Sequence, residues 1–391
     1  MTHKLLPSRR RALQLSAGLG ATFLLTPAFA AASKRKLVVI VCRGAMDGLS
    51  VMPPVGDANY AALRGAIAIP ADQALKLDGD FALHPKLTAI YDMVKAGQAR
   101  LAPAVAIPQR IRSHFEAQDL LESGGQQLYG TTTGWLNRAL SAGGQSITAL
   151  SVGAQEPMIL RGPTPIQSWS PGGRMTDDLG RVATILQDLY KTDPLLGPAF
   201  ASGLQTEATA NALNGGQPFE GRDVRTFAVT AAKFLTADGG PSVAVLSADG
   251  FDTHANQGAA NGQLAIRLKT LDDVVGGLQH GLGPSWNDTV VLVVTEFGRT
   301  ARINGTGGTD HGTASTMILA GGALKRGGIV GDWPTLQQAK LFEDRDLAPT
   351  LDVRQVFKGV LMDHLGVGRR ALEDTVFPGS AGATGISNLV A

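Results

Sequence analysis

The hydrophobic positions of the chain fall into short, uninterrupted apolar runs that alternate with longer segments of helical period. Unbroken runs of Val, Ile, Leu and Ala are typical of parallel strands that are buried on both faces of a sheet. Between the runs, apolar residues recur every three or four positions, as on the buried face of a helix. The predicted strands are 37–42, 101–107, 147–152, 243–247, 290–295 and 316–320, all read as parallel, and the predicted helices are 179–190, 224–235, 264–282 and 353–365.

Strands that alternate with helices predict an α/β protein. Right-handed crossovers place helices on both faces of a mostly parallel sheet, so a three-layer α/β/α architecture is expected. No Pro/Ser-rich linker and no internal repeat divides the chain, and we predict a single domain over residues 31–391. In such sheets ligands bind beyond the carboxyl ends of the strands, so functional side chains are expected directly after the predicted strands.

The stretch that follows the predicted strand 290–295 is the most informative part of the chain. The strand ends in Glu296, and a Gly-rich loop then leads to Asp310 and His311. The alternative interpretation is a polar turn with a solvated histidine. It is the weaker one, because acids and histidines also follow other predicted strands, namely Asp47, His114, Asp252 and His254.

These side chains offer oxygen and nitrogen donors and no thiolate. Such a set suits Zn²⁺, Mn²⁺, Mg²⁺ or Ca²⁺ rather than a structural zinc or iron–sulfur site. Asp252 and His254 are two residues apart, so both can face one ion from an extended segment. Asp310 and His311 can ligate from a loop, or one can support the other. The sequence predicts one or two divalent ions, with the ligands Asp47, Asp252, His254, Glu296, Asp310 and His311.

Ser113 and His114 begin a predicted helix and have two interpretations. As an N-cap residue, Ser113 forms a capping box with Glu116. As a nucleophile, its hydroxyl is activated by the helix N-terminus and a nearby metal, with His114 as a candidate for proton transfer. The residues alone leave both interpretations open. Arg112 and Arg299 are candidates for binding a phosphate or sulfate group, which a guanidinium can bind in bidentate fashion.

The first 30 residues have the form of a twin-arginine export signal. Ser8-Arg9-Arg10-Arg11 precedes an apolar stretch at 13–25, and Ala28-Phe29-Ala30 is a small-x-small cleavage site. The stretch is short and rich in Gly and Ala for a membrane span, although an uncleaved N-terminal anchor is the alternative. We predict cleavage after about Ala30, the twin-arginine translocase as a partner during export, a periplasmic or otherwise exported mature protein, and no stable membrane span after processing.

Charge and cysteine content narrow the function classes. The chain has 35 basic and 33 acidic residues, and the first 30 residues hold four of the basic ones and no acid, which leaves a net charge of about −2 without them. No basic stripe remains, so a nucleic-acid partner is not expected. Cys42 is the single cysteine and lies in an apolar run, which predicts a buried, inert thiol. A redox protein is disfavoured, because haem-attachment spacing and a G-x-G-x-x-G that opens a helix are both missing.

Several short motifs, taken in order, carry a resemblance to a known family over almost the whole chain after the leader. Together they are similar to the twin-arginine-exported family called domain of unknown function 1501. The motifs are RGAMDGLS at 43–50, FALHP at 81–85, RSHF at 112–115, GWLNR at 134–138, FDTH at 251–254, EFGR at 296–299 and GTDHG at 308–312.

That family more distantly resembles the alkaline phosphatase and sulfatase superfamily. The resemblance implies an α/β/α fold with a one- or two-metal site and a nucleophile at a helix start. Two departures are visible. Phe297 stands where the superfamily has a histidine ligand, and no Cys-x-Pro-x-Arg signature surrounds Ser113, so a formylglycine sulfatase is not implied. The residues that follow the superfamily order are Asp47, Ser113, Asp252 with His254, Glu296 and His311.

The function expected from these residues is that of a metal-dependent hydrolase acting on a small phosphate or sulfate ester. Ser113 or a water molecule attacks, and Arg112 or Arg299 neutralises the developing charge. The alternative is a non-catalytic, metal-stabilised binding or assembly protein of the cell envelope with a degenerate site. Phe297 is the feature that favours this alternative.

Overall fold

The predicted apolar runs form the central sheet of the molecule. In the computed structural model, residues 34–143, 147–153, 155–171, 177–217, 219, 221 and 223–391 are described, so the predicted leader lies outside the described residues. The strands are β1 Lys36–Cys42, β2 Leu75–Lys76, β3 Ala82–Leu83, β4 Ala99–Ala106, β5 Ala149–Val152, β6 Gln167–Trp169, β7 Val243–Ala248, β8 Thr289–Val294, β9 Ser315–Ala320 and β10 Leu351–Asp352.

The helices lie between these strands. They are α1 Gly48–Val51, α2 Tyr60–Arg64, α3 Thr88–Ala96, α4 His114–Ser123, α5 Trp135–Ala142, α6 Asp177–Tyr190, α7 Leu196–Leu213, α8 Val224–Thr236, α9 Gln263–Leu282, α10 Val353–Leu365 and α11 Arg369–Ala371. Short 3₁₀ turns span Gly65–Ile67, Met158–Leu160, Gly283–Asp288 and Gln338–Lys340, and a π-helical turn spans Leu372–Val376.

All six predicted strands and all four predicted helices are confirmed, with bounds within two residues of those expected. Eight strands form the main sheet in the order β10-β4-β9-β8-β1-β7-β5-β6. The pairs β1–β7, β1–β8, β5–β7, β5–β6 and β4–β10 are parallel, which confirms an α/β protein with a mostly parallel sheet.

The prediction of a parallel strand at 316–320 is wrong in its direction. Strand β9 pairs antiparallel with both β4 and β8. A parallel neighbour needs a crossover, usually a helix, whereas the connection between β8 and β9 contains no helix and simply turns back. The β8–β9 connection therefore lies at the same edge of the sheet as the carboxyl ends of β1, β7 and β8.

Helices cover both faces of the sheet, because successive side chains of β1 point to opposite faces and are apolar on both. Leu37, Val39 and Val41 face one apolar core together with residues of α4, α5 and α10. The alternate positions Val38 and Ile40 face a second core that includes α3, α8 and α9. The result is three layers, with the sheet in the middle.

The described residues form one compact unit. None of the helices in this part of the chain is both long enough and apolar enough to cross a membrane.

Candidate metal centre

Strands β1, β7 and β8 end side by side, and the loops that follow them are in direct contact. The Gly44 N–H donates to Glu296 Oε1 over 2.9 Å, and the Thr295 hydroxyl donates to the Cys42 carbonyl over 2.7 Å. Gly44 has a φ of 106°, and a Cβ there would lie 2.6 Å from the Asp252 backbone nitrogen. A glycine is therefore required for the close approach of the first loop to Asp252.

Three histidines and one aspartate meet at this edge of the sheet, and we call them the His/Asp cluster. The Nε2 atom of His311 lies 3.0 Å from His114 Nε2 and 2.9 Å from His254 Nε2. Asp252 Oδ1 lies 3.0 Å from His254 Nε2 and 3.4 Å from His311 Nε2, and its Oδ2 lies 3.4 Å from His114 Nε2. One ligand atom each from His114, Asp252 and His311 falls within a mutual distance of 4.8 Å, which is close enough to share one ion.

The outer nitrogen of each histidine is held by an acceptor. His114 Nδ1 donates to Glu296 Oε1 over 2.8 Å, and His311 Nδ1 donates to the Arg112 carbonyl over 2.7 Å. His254 Nδ1 faces Asp310 Oδ1 at 3.4 Å. Because these acceptors place the proton on Nδ1, the Nε2 atoms of the neutral imidazoles present lone pairs to one another. Metal-ligating histidines are held in this way by their outer partners.

The surroundings set the protonation states of the cluster. The hydrogen bond with Glu296 raises the pKa of His114, whereas burial lowers the pKa of His311. Burial alone would raise the pKa of Glu296, but the hydrogen bonds from His114 and the Gly44 N–H hold it below its ordinary value. Burial likewise opposes ionisation of Asp252, and Arg299 reverses that effect and lowers its pKa. Both carboxyl groups are therefore ionised at neutral pH.

The cluster and its outer partners are rich in carboxylates. Asp252 pairs with Arg299 over 2.6 Å, and Asp310 lies near Arg345. Together with the imidazole lone pairs, these carboxylate oxygens form a donor set that fits a divalent metal ion.

The structure places Asp47 outside the His/Asp cluster. Its side chain is buried at the N-cap of α1, where it accepts a hydrogen bond from the Leu49 N–H. The same carboxylate pairs with buried Arg64 and accepts hydrogen bonds from Ser50 and Gln257. These contacts make Asp47 an anchor of the first loop.

The two predicted anion-binding arginines are both engaged by carboxylates. Arg299 is buried, pairs with Asp252, and donates to the Thr309 carbonyl. Arg112 pairs with Asp346 over 2.7 Å and with Glu343 over 2.6 Å. Arg299 thus orients a cluster carboxylate, while Arg112 stands beside the cluster with part of its side chain exposed.

The capping-box interpretation of Ser113 is wrong. Ser113 does occupy the N-cap position of α4 with extended backbone, but its side chain makes no capping hydrogen bond. The hydroxyl is exposed, one residue before His114 of the cluster. Its position at the start of a helix is the one that the nucleophile interpretation requires.

Sequence reasoning missed several functional contacts. The sequence predicts a proton-transfer role for His114, whereas the structure places it among the residues close enough to share one ion. Gln118, one helical turn later, donates to Glu296 over 3.2 Å. The i, i+4 spacing of His114 and Gln118 on a helix was the available signal. Phe297 is buried and stacks on the His114 ring at 4.9 Å between centroids, so it forms an apolar wall of the cluster.

Replacement of Glu296 by glutamine tests the outer support of the cluster. We expect the pKa of His114 to fall, because the negative charge that favours the imidazolium is removed. The affinity for Zn²⁺ should fall about 10- to 100-fold, as for other outer partners of metal ligands. Histidine titration by NMR on metal-free protein and a competitive Zn²⁺ assay measure the two effects, with Glu373→Gln as the control. An unchanged His114 titration would show that the hydrogen bond does not set its protonation.

The chain matches one family model, and the solved structures that resemble it do so at low sequence identity. No match is found among curated proteins. The crystal structure of Ps i-CgsB in complex with k-i-k-neocarrahexaose has 11% identity and a TM-score of 0.43, covering 91% of this chain and 75% of that one. The C-terminal periplasmic domain of EcEptC from Escherichia coli, in complex with Zn, has 9% identity and a TM-score of 0.42, covering 89% and 88%. A TAB5 alkaline phosphatase mutant with Mg bound in the M3 site has 12% identity and a TM-score of 0.37, covering 76% and 94%.

The family model described as protein of unknown function (DUF1501) matches residues 34–376. This span is most of the chain, and it confirms the resemblance carried by the short motifs. The protein therefore belongs to the DUF1501 family.

Proposed function

We propose that the protein is a metal-dependent hydrolase of phosphate or sulfate esters, with the His/Asp cluster as its metal centre. The observation that carries the proposal is the set of imidazoles whose Nε2 atoms face one another beside Asp252. Imidazole donors suit Zn²⁺ and other first-row transition metals, whereas Mg²⁺ and Ca²⁺ prefer oxygen. Asp252 and His254 are 42% and 46% exposed, so a small substrate can reach the cluster.

A divalent ion held there supplies Lewis-acid polarisation of an ester oxygen. The chain supplies the nucleophile and the positioning. Ser113 presents an exposed hydroxyl at the start of α4, where the helix N-terminus favours the negative charge of an attacking oxygen. Glu296 and the Arg112 carbonyl hold protons on Nδ1 of His114 and His311, which suits these two imidazoles for ligation rather than for carrying a proton.

Arg299 and Arg112 differ in whether they can contact an anionic substrate. Arg299 fixes the orientation of Asp252 and does not face solvent. The Arg112 side chain is 31% exposed and its partner Glu343 is 56% exposed, so an anionic substrate can compete with Glu343 for this guanidinium. The proposal places the reaction outside the cytoplasm, where the predicted leader of residues 1–30 would direct the protein.

Replacement of Ser113 by alanine tests the assignment of the nucleophile. With Zn²⁺ or Mn²⁺ bound, wild-type protein should hydrolyse an aryl phosphate or aryl sulfate, and Ser113→Ala should lower kcat by a factor on the order of 10³ to 10⁶. Metal content should stay unchanged, because Ser113 is not a member of the cluster. Ser141→Ala, at an exposed serine of α5, is the matched control. Full metal occupancy without turnover of any phosphate or sulfate ester would refute the hydrolase.

The second candidate is a non-catalytic, metal-stabilised binding or assembly protein. Phe297 favours it, because a buried ring closes the side of the cluster where another polar ligand could stand. In that case metal would raise the unfolding temperature, as any ligand of the native state does, and no ester would be turned over.

A further inference from the structure

A cleft of about 720 Å³ opens beside the His/Asp cluster, at the carboxyl ends of β5 and β7. This volume is within the range of small-molecule sites. Helix α4 borders both sites, since His114 belongs to the cluster and Phe115 lines the cleft. Gln118 lines the cleft with its side chain and also donates to Glu296, the residue that holds His114. A molecule bound in the cleft can therefore contact Gln118, whose side chain in turn contacts Glu296.

Three aromatic rings from the residues that the structure describes line this cleft, and two of them are exposed. Phe115 is 84% exposed and Tyr129 is 66% exposed, and Phe227 contributes a third ring. Aromatic rings grouped at a concave surface are typical of a ligand-binding site. Tyr129 has a φ of 54°, and Asp119 Oδ2 holds it there by accepting the Tyr129 N–H over 2.9 Å.

The charge of the cleft is negative. Among the described residues that line it, Arg43 is the only cation, and it pairs with buried Glu122 over 2.7 Å. Asp119 and Asp249 form no ion pair within the described part of the chain. Glu156 also lines the cleft, with Arg161 as a nearby opposite charge. After Arg43 is neutralised, the carboxylates exceed the cations of the lining.

We propose that this cleft binds an alkylammonium group. Aromatic faces attract an organic cation through their quadrupoles, and carboxylates attract it through charge. A neutral ligand would leave the carboxylates without a counter-charge, and an anion would be repelled. A second assignment rests on the proposed function. The cleft would bind the cationic alcohol portion of an ester, and the anionic group of the same ester would lie at the His/Asp cluster.

Binding of choline chloride tests the cleft without any turnover. Choline is titrated into the full chain, both metal-loaded and chelator-treated, and compared with 3,3-dimethyl-1-butanol, a neutral molecule of the same shape. We expect choline to bind at least about tenfold more tightly than the neutral alcohol. Tyr129→Leu and Asp249→Asn should each weaken choline binding about tenfold. Asp363→Asn, on α10 at the opposite edge of the sheet, should leave it unchanged.

Equal binding of the two probes, or choline binding unaffected by both cleft variants, would overturn the ammonium site. The outcome is separable from that of the proposed hydrolase. If choline binds but no ester is hydrolysed, the ammonium site is supported and the proposed hydrolase function is refuted. Hydrolysis of phosphocholine with a kcat/KM that Tyr129→Leu leaves unchanged supports the hydrolase and overturns the substrate role of the cleft.

Discussion

Replacement of His311 by alanine is expected to abolish stoichiometric binding of Zn²⁺. His311 Nε2 lies within 3.0 Å of both His114 Nε2 and His254 Nε2, so this ring is the central member of the cluster. Loss of a direct ligand should cost more than the roughly 10- to 100-fold loss in affinity that follows removal of an outer partner. Elemental analysis after dialysis against a weak chelator, together with a competitive titration, measures the loss.

The control for this variant is His280→Ala, at an exposed histidine near the end of α9 and outside the cluster. Its metal content should match that of the wild type. Circular dichroism of the His311→Ala protein verifies that the sheet is intact, since the side chain is partly exposed and contributes little to the cores. If the variant keeps one tightly bound ion per chain, the His/Asp cluster is not the metal centre.

Replacement of Asp47 by asparagine is expected to lower the free energy of unfolding by about 3–5 kcal/mol, because it leaves the Arg64 guanidinium buried without a counter-charge. Both side chains are fully buried. The metal content should be unchanged, since the Asp47 carboxylate already accepts hydrogen bonds from Arg64, Ser50 and Gln257. Urea unfolding in the presence of a chelator measures stability apart from any effect of metal.

This variant also decides between two interpretations of Asp47. The sequence predicts a metal ligand, and the structure shows an anchor for Arg64. A stable Asp47→Asn protein that has lost its metal would establish the ligand. A destabilised protein that still binds Zn²⁺ would establish the anchor, and Asp249→Asn, at an exposed acid after β7, should show neither effect.

Much of the fold could be predicted from the sequence, because the strands are buried on both faces and leave unbroken apolar runs. The direction of β9 could not, since an apolar run has the same pattern whichever way it points. The length and composition of the connection from β8 to β9 carried the missing information. A connection that holds no helix returns the chain beside the strand it has just left.

The candidate site, like the fold, could be predicted from the sequence only in part. Asp252, His254 and His311 follow strands or lie in the Gly-rich loop, and the position of polar residues at strand ends sufficed to find them. The partner of Asp47 could not be found, because Arg64 lies in a short helix with no chemical motif of its own. The proton positions depend on the Arg112 carbonyl, a backbone group that every residue possesses and that no sequence pattern singles out.

The antiparallel return of β9 has a consequence for the order of assembly. Glu296 and His311 lie on one hairpin connection and can come together through contacts local in sequence. The contact between His114 and His311 spans 197 positions and that between His254 and His311 spans 57. Contacts between residues distant in sequence form late, because closing a long loop costs chain entropy before any contact stabilises it. Uptake of the proposed metal ion should therefore follow docking of α4 onto the sheet. Its kinetics would report the last stage of folding rather than formation of the hairpin.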